Sequence, residues 1–120
     1  MIPAKQCIII GAAGGVGRRL VERLAVGGWR LILTGRRRQC LDEVAPARDD
    51  AVVERRALDA RRFEDVARLF ADHPGTTGAV NLAGSILLKP AHATSEDDFD
   101  ETIDHNLRTA FALVLSLIHI

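Results

Sequence analysis

Cysteine is scarce in this chain. Cys7 and Cys40 are the only two, and they form no Cys-x-x-Cys pair. The histidines (His73, His92, His105 and His119) are scattered without metal-ligand spacing. A disulfide framework and a zinc site are therefore not expected, and the thiols read as reduced. Charge of one sign is also missing, because Lys+Arg and Asp+Glu balance at 16 each. That balance argues against a nucleic-acid partner and against an anionic membrane surface. No apolar run is long enough to span a bilayer, and the opening "MIPAKQCIII" lacks a signal-peptide cleavage pattern. The cytoplasm is the expected compartment. At 120 residues the chain holds one domain at most, and 48% hydrophobic residues suffice for a modest core.

What is present alternates. "QCIII" (6–10) is a short β-branched run suited to a strand buried on both faces. "VGRRLVERLAV" then places Val16, Leu20 and Leu24 at helical spacing with Val21 beside them, and Gly27-Gly28 close it. "WRLILTG" (29–35) reads as a second strand and "RRRQCLDEVAP" as a short helix ending at Pro46. "AVVERRALD" (51–59) reads as a third strand. A helix with Phe63, Val66, Ala67 and Phe70 on one face follows, stopped by Pro74-Gly75. "TGAVNLAG" (77–84) reads as a fourth strand. The last helix opens on Glu96, Asp97 and Asp98, where the helix dipole favours negative charge, and Thr94 or Ser95 can cap it. Its stripe Phe99, Ile103, Leu107, Ala110 and Val114 is expected to be the buried face. This β-α-β-α order predicts an α/β fold: a parallel sheet with helices on both faces and right-handed crossovers.

The glycines of "IIIGAAGGVGRRL" fall between the first strand and the first helix. Backbone there can approach a ligand closely, and free N–H groups at the helix start favour an anion. No Gly-Lys-Ser/Thr follows, so this is not a P-loop. The spacing is G-x-x-x-G-x-G, carried by Gly11, Gly15 and Gly17. In dinucleotide folds the end of the second strand meets the adenosine ribose, where a carboxylate would accept from the 2′-hydroxyl of NAD. Here "LTGRRR" puts Arg36 at that point, with Arg37 and Arg38 behind it. A guanidinium fork matches a phosphate, so NADP is expected over NAD, chiefly through Arg36, with Arg38 on the surface.

Together these stretches resemble the amino-terminal half of short-chain dehydrogenases/reductases. The family's Thr-Gly-x-x-x-Gly-x-Gly motif appears as "IGAAGGVG", with Ile10 in place of the threonine and its loop-ordering hydroxyl. "LTGRR" followed by Leu41 resembles the NADP-preferring second strand. "LDA" matches the Asp plus small residue after the third strand, and "VNLAG" resembles Asn-Asn-Ala-Gly with Leu82 in place of the second Asn. "FDETIDHNLRTAF" resembles the helix that carries an active-site Asn, matched by Asn106. The resemblance implies a partial Rossmann-type doubly wound parallel sheet, with strand order 3-2-1-4 and later strands absent. It implies NADP contacts at Gly11, Ala13, Gly14, Gly15, Val16, Gly17, Arg36, Arg37, Asp59, Ala60, Asn81, Ala83 and Gly84. Asp59 would accept from the adenine amino group. It further implies hydride transfer between NADP(H) and a small carbonyl or alcohol substrate, and a homo-oligomeric full-length protein.

The family's proton donor is the tyrosine of a Tyr-x-x-x-Lys motif beyond the fifth strand. This chain contains no tyrosine, and its two lysines, Lys5 and Lys89, match no such motif. Asn106 would be the one member of the active set present, helping to hold its helix around an ordered water. Ser85 has no evident base. The 120 residues alone are therefore expected to be inactive and prone to aggregate along the fourth strand. Two alternatives stay open. One is a stand-alone, non-catalytic dinucleotide-binding module. The other is a fragment of an atypical reductase or nucleotide-sugar epimerase, whose G-x-x-G-x-x-G can be read from Gly11, Gly14 and Gly17.

The final helix runs to the last residue without a cap. "LSLIHI" can be encoded as CTG-TCT-CTT-ATA-CAC-ATC, which resembles the transposon-end adapter of short-read sequencing. Residues 1–114 are accordingly expected to be the dinucleotide-binding half. Residues 115–120 are expected to be adapter read-through without selected function, His119 included.

Overall fold

The computed structural model describes residues 5–118. His119 and its expected lack of a role lie outside the described residues. Four strands, β1 (Gln6–Ile10), β2 (Arg30–Gly35), β3 (Val52–Ala57) and β4 (Gly78–Asn81), form one parallel sheet of order β3-β2-β1-β4. The helices between them are α1 (Gly15–Val26), α2 (Arg38–Asp42) and α3 (Phe63–Asp72). After β4, α4 (Glu96–Ile103) passes through a π-helical turn (Asp104–Arg108) into α5 (Thr109–Ile118) without a break. The expected strand order and α/β class are both observed.

The apolar run of β1 makes the sheet two-sided. Side chains alternate across a strand, so Cys7 and Ile9 pack with Leu31 and Leu33 against Val21, Ala25 and Leu41. Ile8, Ile10 and Ile32 face the other way, against Val66, Leu69 and Phe70 of α3 and Ala112 and Leu113 of α5. Ile8, Ile9, Leu31, Ile32 and Leu33 are wholly buried, as a central parallel sheet requires. Thr34 is buried too, and its hydroxyl donates to the Ile9 carbonyl at 3.2 Å. The register between β2 and β3 slips between Leu31 and Ile32, where Leu31 pairs with Val52 and Ile32 with Glu54.

Two expectations are corrected. The second helix is shorter than "RRRQCLDEVAP": α2 ends at Asp42, because Leu41 and Val44 both turn into the core below it. In α3, Phe63, Ala67 and Phe70 share a face as expected, lining one surface groove, and the buried positions are Val66, Leu69 and Phe70. The larger correction concerns the last helix. Phe99, Ile103, Leu107 and Val114 are exposed, and the buried positions of α5 are Thr109, Ala112, Leu113 and Ser116. The small residues of that line let α5 settle closely on the sheet and α3. The bulky stripe is left facing outward.

Ser95 caps α4 in a capping box. Its hydroxyl accepts from Asp98 N at 3.1 Å, and the Asp98 carboxylate accepts from Ser95 N at 3.0 Å. Lys89 adds an ion pair to Asp98 at 2.8 Å. The acidic helix start is thus accounted for by capping. Among the described residues no helix is long and apolar enough to cross a membrane.

Candidate functional site

The carboxyl ends of all four strands open on one cleft of about 290 Å³. Open α/β sheets bind ligands at that edge. The β1–α1 turn forms one wall. Gly11 has φ +83°, which favours glycine, and a Cβ there would lie 2.9 Å from the Ala83 nitrogen. Gly17 lies against the turn, where a Cβ would stand 2.5 Å from the Ala12 carbonyl oxygen. Ile10 supplies no hydroxyl to order the turn, and the backbone does so instead. Gly11 N and Ala12 N both donate to the Thr34 carbonyl, at 3.1 and 2.9 Å.

Gly14 and Gly15 differ from these two. A Cβ on Gly15 would meet nothing within 4 Å, and one on Gly14 would meet only the Gly11 carbonyl at 3.9 Å. Protein packing does not demand glycine at either place. The first helical bond of α1 runs from Arg18 N to Gly14 O, so the amides of residues 15–17 have no intrahelical acceptor. No side chain caps that end, and no acid stands in its first turn. Open space beside three free N–H groups fits an anionic ligand lying close to backbone.

At the end of β2, Arg36 lines the cleft. Among the described residues its guanidinium makes no hydrogen bond or ion pair. Arg38 is tied down instead: Nε pairs with Asp42 at 3.1 Å, and Nη1 donates to the Arg55 carbonyl at 2.8 Å. Arg37 precedes α2 as its exposed cap residue. Among the described residues Arg36 has no partner, and Arg38, expected on the surface, is exposed and held by Asp42 and the Arg55 carbonyl.

Asp59 and Ala60 reach the cleft from the end of β3. Asp59 accepts from Arg61, from its backbone N and Nε at 3.0 Å on one oxygen and from Nη2 at 2.9 Å on the other. That fork holds the Asp59 carboxyl down at about 2. Arg61 was not singled out in the sequence, where "LDA" reads as the end of the third strand and Arg61 as the start of the following helix. Ala83 and Gly84 line the cleft after β4. Asn81 does not line it; its Oδ1 accepts from Ala83 N at 3.0 Å and shapes the loop. Ala13, Gly15, Val16 and Gly17 belong to the turn and helix start beside the cleft rather than to its lining.

Asn106 also lies outside the lining, in the π-helical turn. Its Nδ2 donates to the Ser85 carbonyl at 3.1 Å and to the Thr102 carbonyl at 2.9 Å, and its Oδ1 accepts from Ser85 N at 3.3 Å. Asn106 thus straps the loop after β4 to the long helix. A Cβ on Gly84 would come 2.8 Å from Asn106 Oδ1, so glycine is needed for the strap to close. The same turn presents His105 to the cleft, and Thr109 at the start of α5 lines it as well, neither of them singled out from the sequence as a site residue.

A parallel sheet of order 3-2-1-4, a glycine turn feeding a helix start, and a cleft over the strand ends define a Rossmann-type α/β domain. Comparison with known proteins agrees. The family described as short chain dehydrogenase matches residues 5–120, and the chain belongs to that family. It is 36% identical over 107 residues to sulfoacetaldehyde reductase 2 of Chromohalobacter salexigens, covering 84% of this chain and 42% of that protein. An NADP-dependent 3-hydroxy acid dehydrogenase of Shigella flexneri is 31% identical over 104 residues, covering 82% and 42%. Among solved structures, a short-chain dehydrogenase/reductase of the glucose/ribitol dehydrogenase type from Brucella melitensis superposes with a TM-score of 0.84 at 28% identity, covering 93% of this chain and 49% of that one. ElxO with NADPH bound shares the fold, with a TM-score of 0.85 at 17% identity, covering 97% and 50%. The chain spans less than half the length of these two curated relatives.

Proposed function

We propose that this chain is the NADP-binding half of a short-chain oxidoreductase that moves a hydride between NADP(H) and a carbonyl or alcohol substrate. The observation that carries the proposal is the free guanidinium of Arg36 in the cleft, at the strand end where an NAD-binding fold would place a carboxylate. The turn from Gly11 to Gly17, including Ala13, Gly14, Gly15 and Val16, would hold the pyrophosphate on the free amides of α1. Arg36, with Arg37 beside it, would take the 2′-phosphate. Asp59 and Ala60 would meet the adenine. Asn81, Ala83 and Gly84 would run along the cofactor, with Asn106 keeping their loop in place. The bound dinucleotide would carry the hydride, and the tyrosine that the family uses as proton donor is not among these 120 residues.

Residues 1–114 are, in this reading, the dinucleotide-binding unit, and 115–120 carry no selected role. Amplifying the source locus across that junction tests the second point, since a genomic copy of "LSLIHI" would contradict it. The full-length protein is proposed to be a cytoplasmic homo-oligomer. The outward stripe of Phe99, Leu107, Phe111 and Val114 supports the association.

The test of the cofactor assignment is reversal. Arg36→Asp should weaken NADPH and leave NADH the better ligand, read by calorimetric titration, because it replaces a donor fork with a group that repels phosphate and accepts from a hydroxyl. An unchanged NADPH affinity in the variant would refute the assignment.

A further inference from the structure

Arg18 stands in the first turn of α1, where the helix dipole disfavours a cation. Its side chain does not leave for solvent. Nε turns back over the helix start and donates to the Ala13 carbonyl at 3.0 Å. Nη2 reaches Glu43, the residue that closes α2, at 3.5 Å. One guanidinium therefore ties the glycine turn to the end of the next helix.

The bond to Ala13 decides how one peptide group faces. A helix begun one residue earlier would give the Ala13 carbonyl to Gly17 N. Here the first such bond runs from Arg18 N to Gly14 O, and Arg18 Nε takes the Ala13 carbonyl instead. The Ala13–Gly14 peptide is trans, so its C=O and N–H point opposite ways. With the oxygen drawn to Arg18, the Gly14 N–H points away from it. That N–H has no acceptor among the described residues, and Gly14 lines the cleft.

This peptide is easy to turn over. Gly14 carries no Cβ, and one built there would meet only the Gly11 carbonyl oxygen, at 3.9 Å. A flipped peptide would aim a carbonyl oxygen where an anion is to lie. We propose that Arg18 is a positioning residue of the phosphate turn: its bond to the Ala13 carbonyl latches the Ala13–Gly14 peptide so that the Gly14 N–H, and not a carbonyl oxygen, faces a bound pyrophosphate. The Glu43 contact steadies the latch without carrying it, because it is long and both side chains are exposed. This inference rests on the dinucleotide-binding reading above.

The test follows the isotope-labelled whole chain by amide NMR, with NADPH and adenosine 2′-monophosphate as ligands. The monophosphate has no 5′-phosphate and does not reach the turn. In the parent, NADPH should move the Gly14 amide proton downfield, as a new hydrogen bond to phosphate does. Arg18→Met keeps the stem and removes the donors. It should weaken NADPH about tenfold, the worth of one charge-assisted hydrogen bond. It should also shrink the Gly14 shift and leave the monophosphate unchanged. The comparison of two ligands lies within one protein, so a loss of folded fraction does not move it. Glu43→Ala should change NADPH binding by less than about twofold, since Nε still holds Ala13. Unchanged NADPH binding in Arg18→Met would overturn the inference. So would an equal loss for both ligands, because Arg18 would then support only the fold. A Glu43→Ala chain that binds NADPH severalfold more tightly at low salt would overturn it as well, since Arg18 would then act as a charge on the phosphate rather than as a latch. Each of these results leaves the dinucleotide reading standing. A parent that does not bind NADPH overturns that reading and this inference together.

Discussion

Gly15→Ala and Gly17→Ala separate folding from binding within one turn. At Gly17 the added methyl would stand 2.5 Å from the Ala12 carbonyl oxygen and 2.7 Å from the Gly11 carbonyl oxygen. Both are backbone atoms, so neither can rotate away, and α1 must shift off the sheet. Overpacking of this kind costs about 1–3 kcal/mol. The helix preference for alanine returns at most about 1 kcal/mol, so the net effect is destabilising by up to about 2 kcal/mol. In a chain of this size that lowers the melting temperature by several degrees, on the order of 4 °C per kcal/mol. At Gly15 the methyl meets nothing within 4 Å. Only the propensity gain remains, so stability should hold or rise by about 0.5 kcal/mol. The methyl would occupy the space assigned to the pyrophosphate, and NADPH binding should fall by about tenfold or more, for a lost close contact of about 1.4 kcal/mol. The assays are thermal denaturation by circular dichroism and NADPH titration on both variants. A Gly17→Ala protein as stable as the parent, or a Gly15→Ala protein that binds NADPH unchanged, would refute the reasoning.

Other outcomes follow from the same geometry. Ile9→Ala removes a wholly buried side chain between two helices, and a chemical denaturation curve should show a loss of about 2–5 kcal/mol. Burial pushes the Cys7 thiol up to about 11, so a thiol reagent at neutral pH should label Cys40 first and Cys7 only on unfolding. Asp59 is held low by Arg61 and Glu54 by Arg56. Both are depressed carboxylates: the Asp59 contribution is complete above its unfolded value of about 4 and is lost as pH falls toward about 2, and that of Glu54 is lost as pH falls below its ordinary carboxylate range. The melting temperature should drop over that window, and less steeply in Asp59→Asn. The 120-residue chain should oxidise no alcohol with NADP, which a spectrophotometric assay checks.

The parallel α/β class was legible because "QCIII" and "RLILTG" are continuous apolar runs that only a central parallel sheet buries on both faces, while the strand order rested on the family resemblance. The glycine turn was legible because position and spacing agree: it follows a strand and opens a helix. The buried face of the last helix was not. "TAFALVLSLI" is apolar nearly all round, and periodicity alone cannot choose between faces. Close packing chose the side with Thr109, Ala112 and Ser116, whose small volumes admit the sheet and α3. The same limit applies to α1, where the buried line is Gly17, Val21 and Ala25, while Val16 is 71% exposed. Arg61 was invisible for a different reason. An arginine two residues beyond an aspartate reads as the start of the following helix, and only the turn after β3 folds its fork back onto Asp59. The role of Asn106 was half legible: the resemblance marked the residue, but its strap to Ser85 required the loop in place.

The central claim is that Arg36 reads a 2′-phosphate. It is tested most directly by titrating NADPH and NADH into the parent chain side by side at the same low ionic strength. A single charge-assisted contact is worth about 1.5–3 kcal/mol, with exposure placing Arg36 at the lower end. NADPH should therefore bind about tenfold more tightly than NADH, with the gap closing as salt is added. Equal affinities at low salt, or a preference for NADH, would contradict the account.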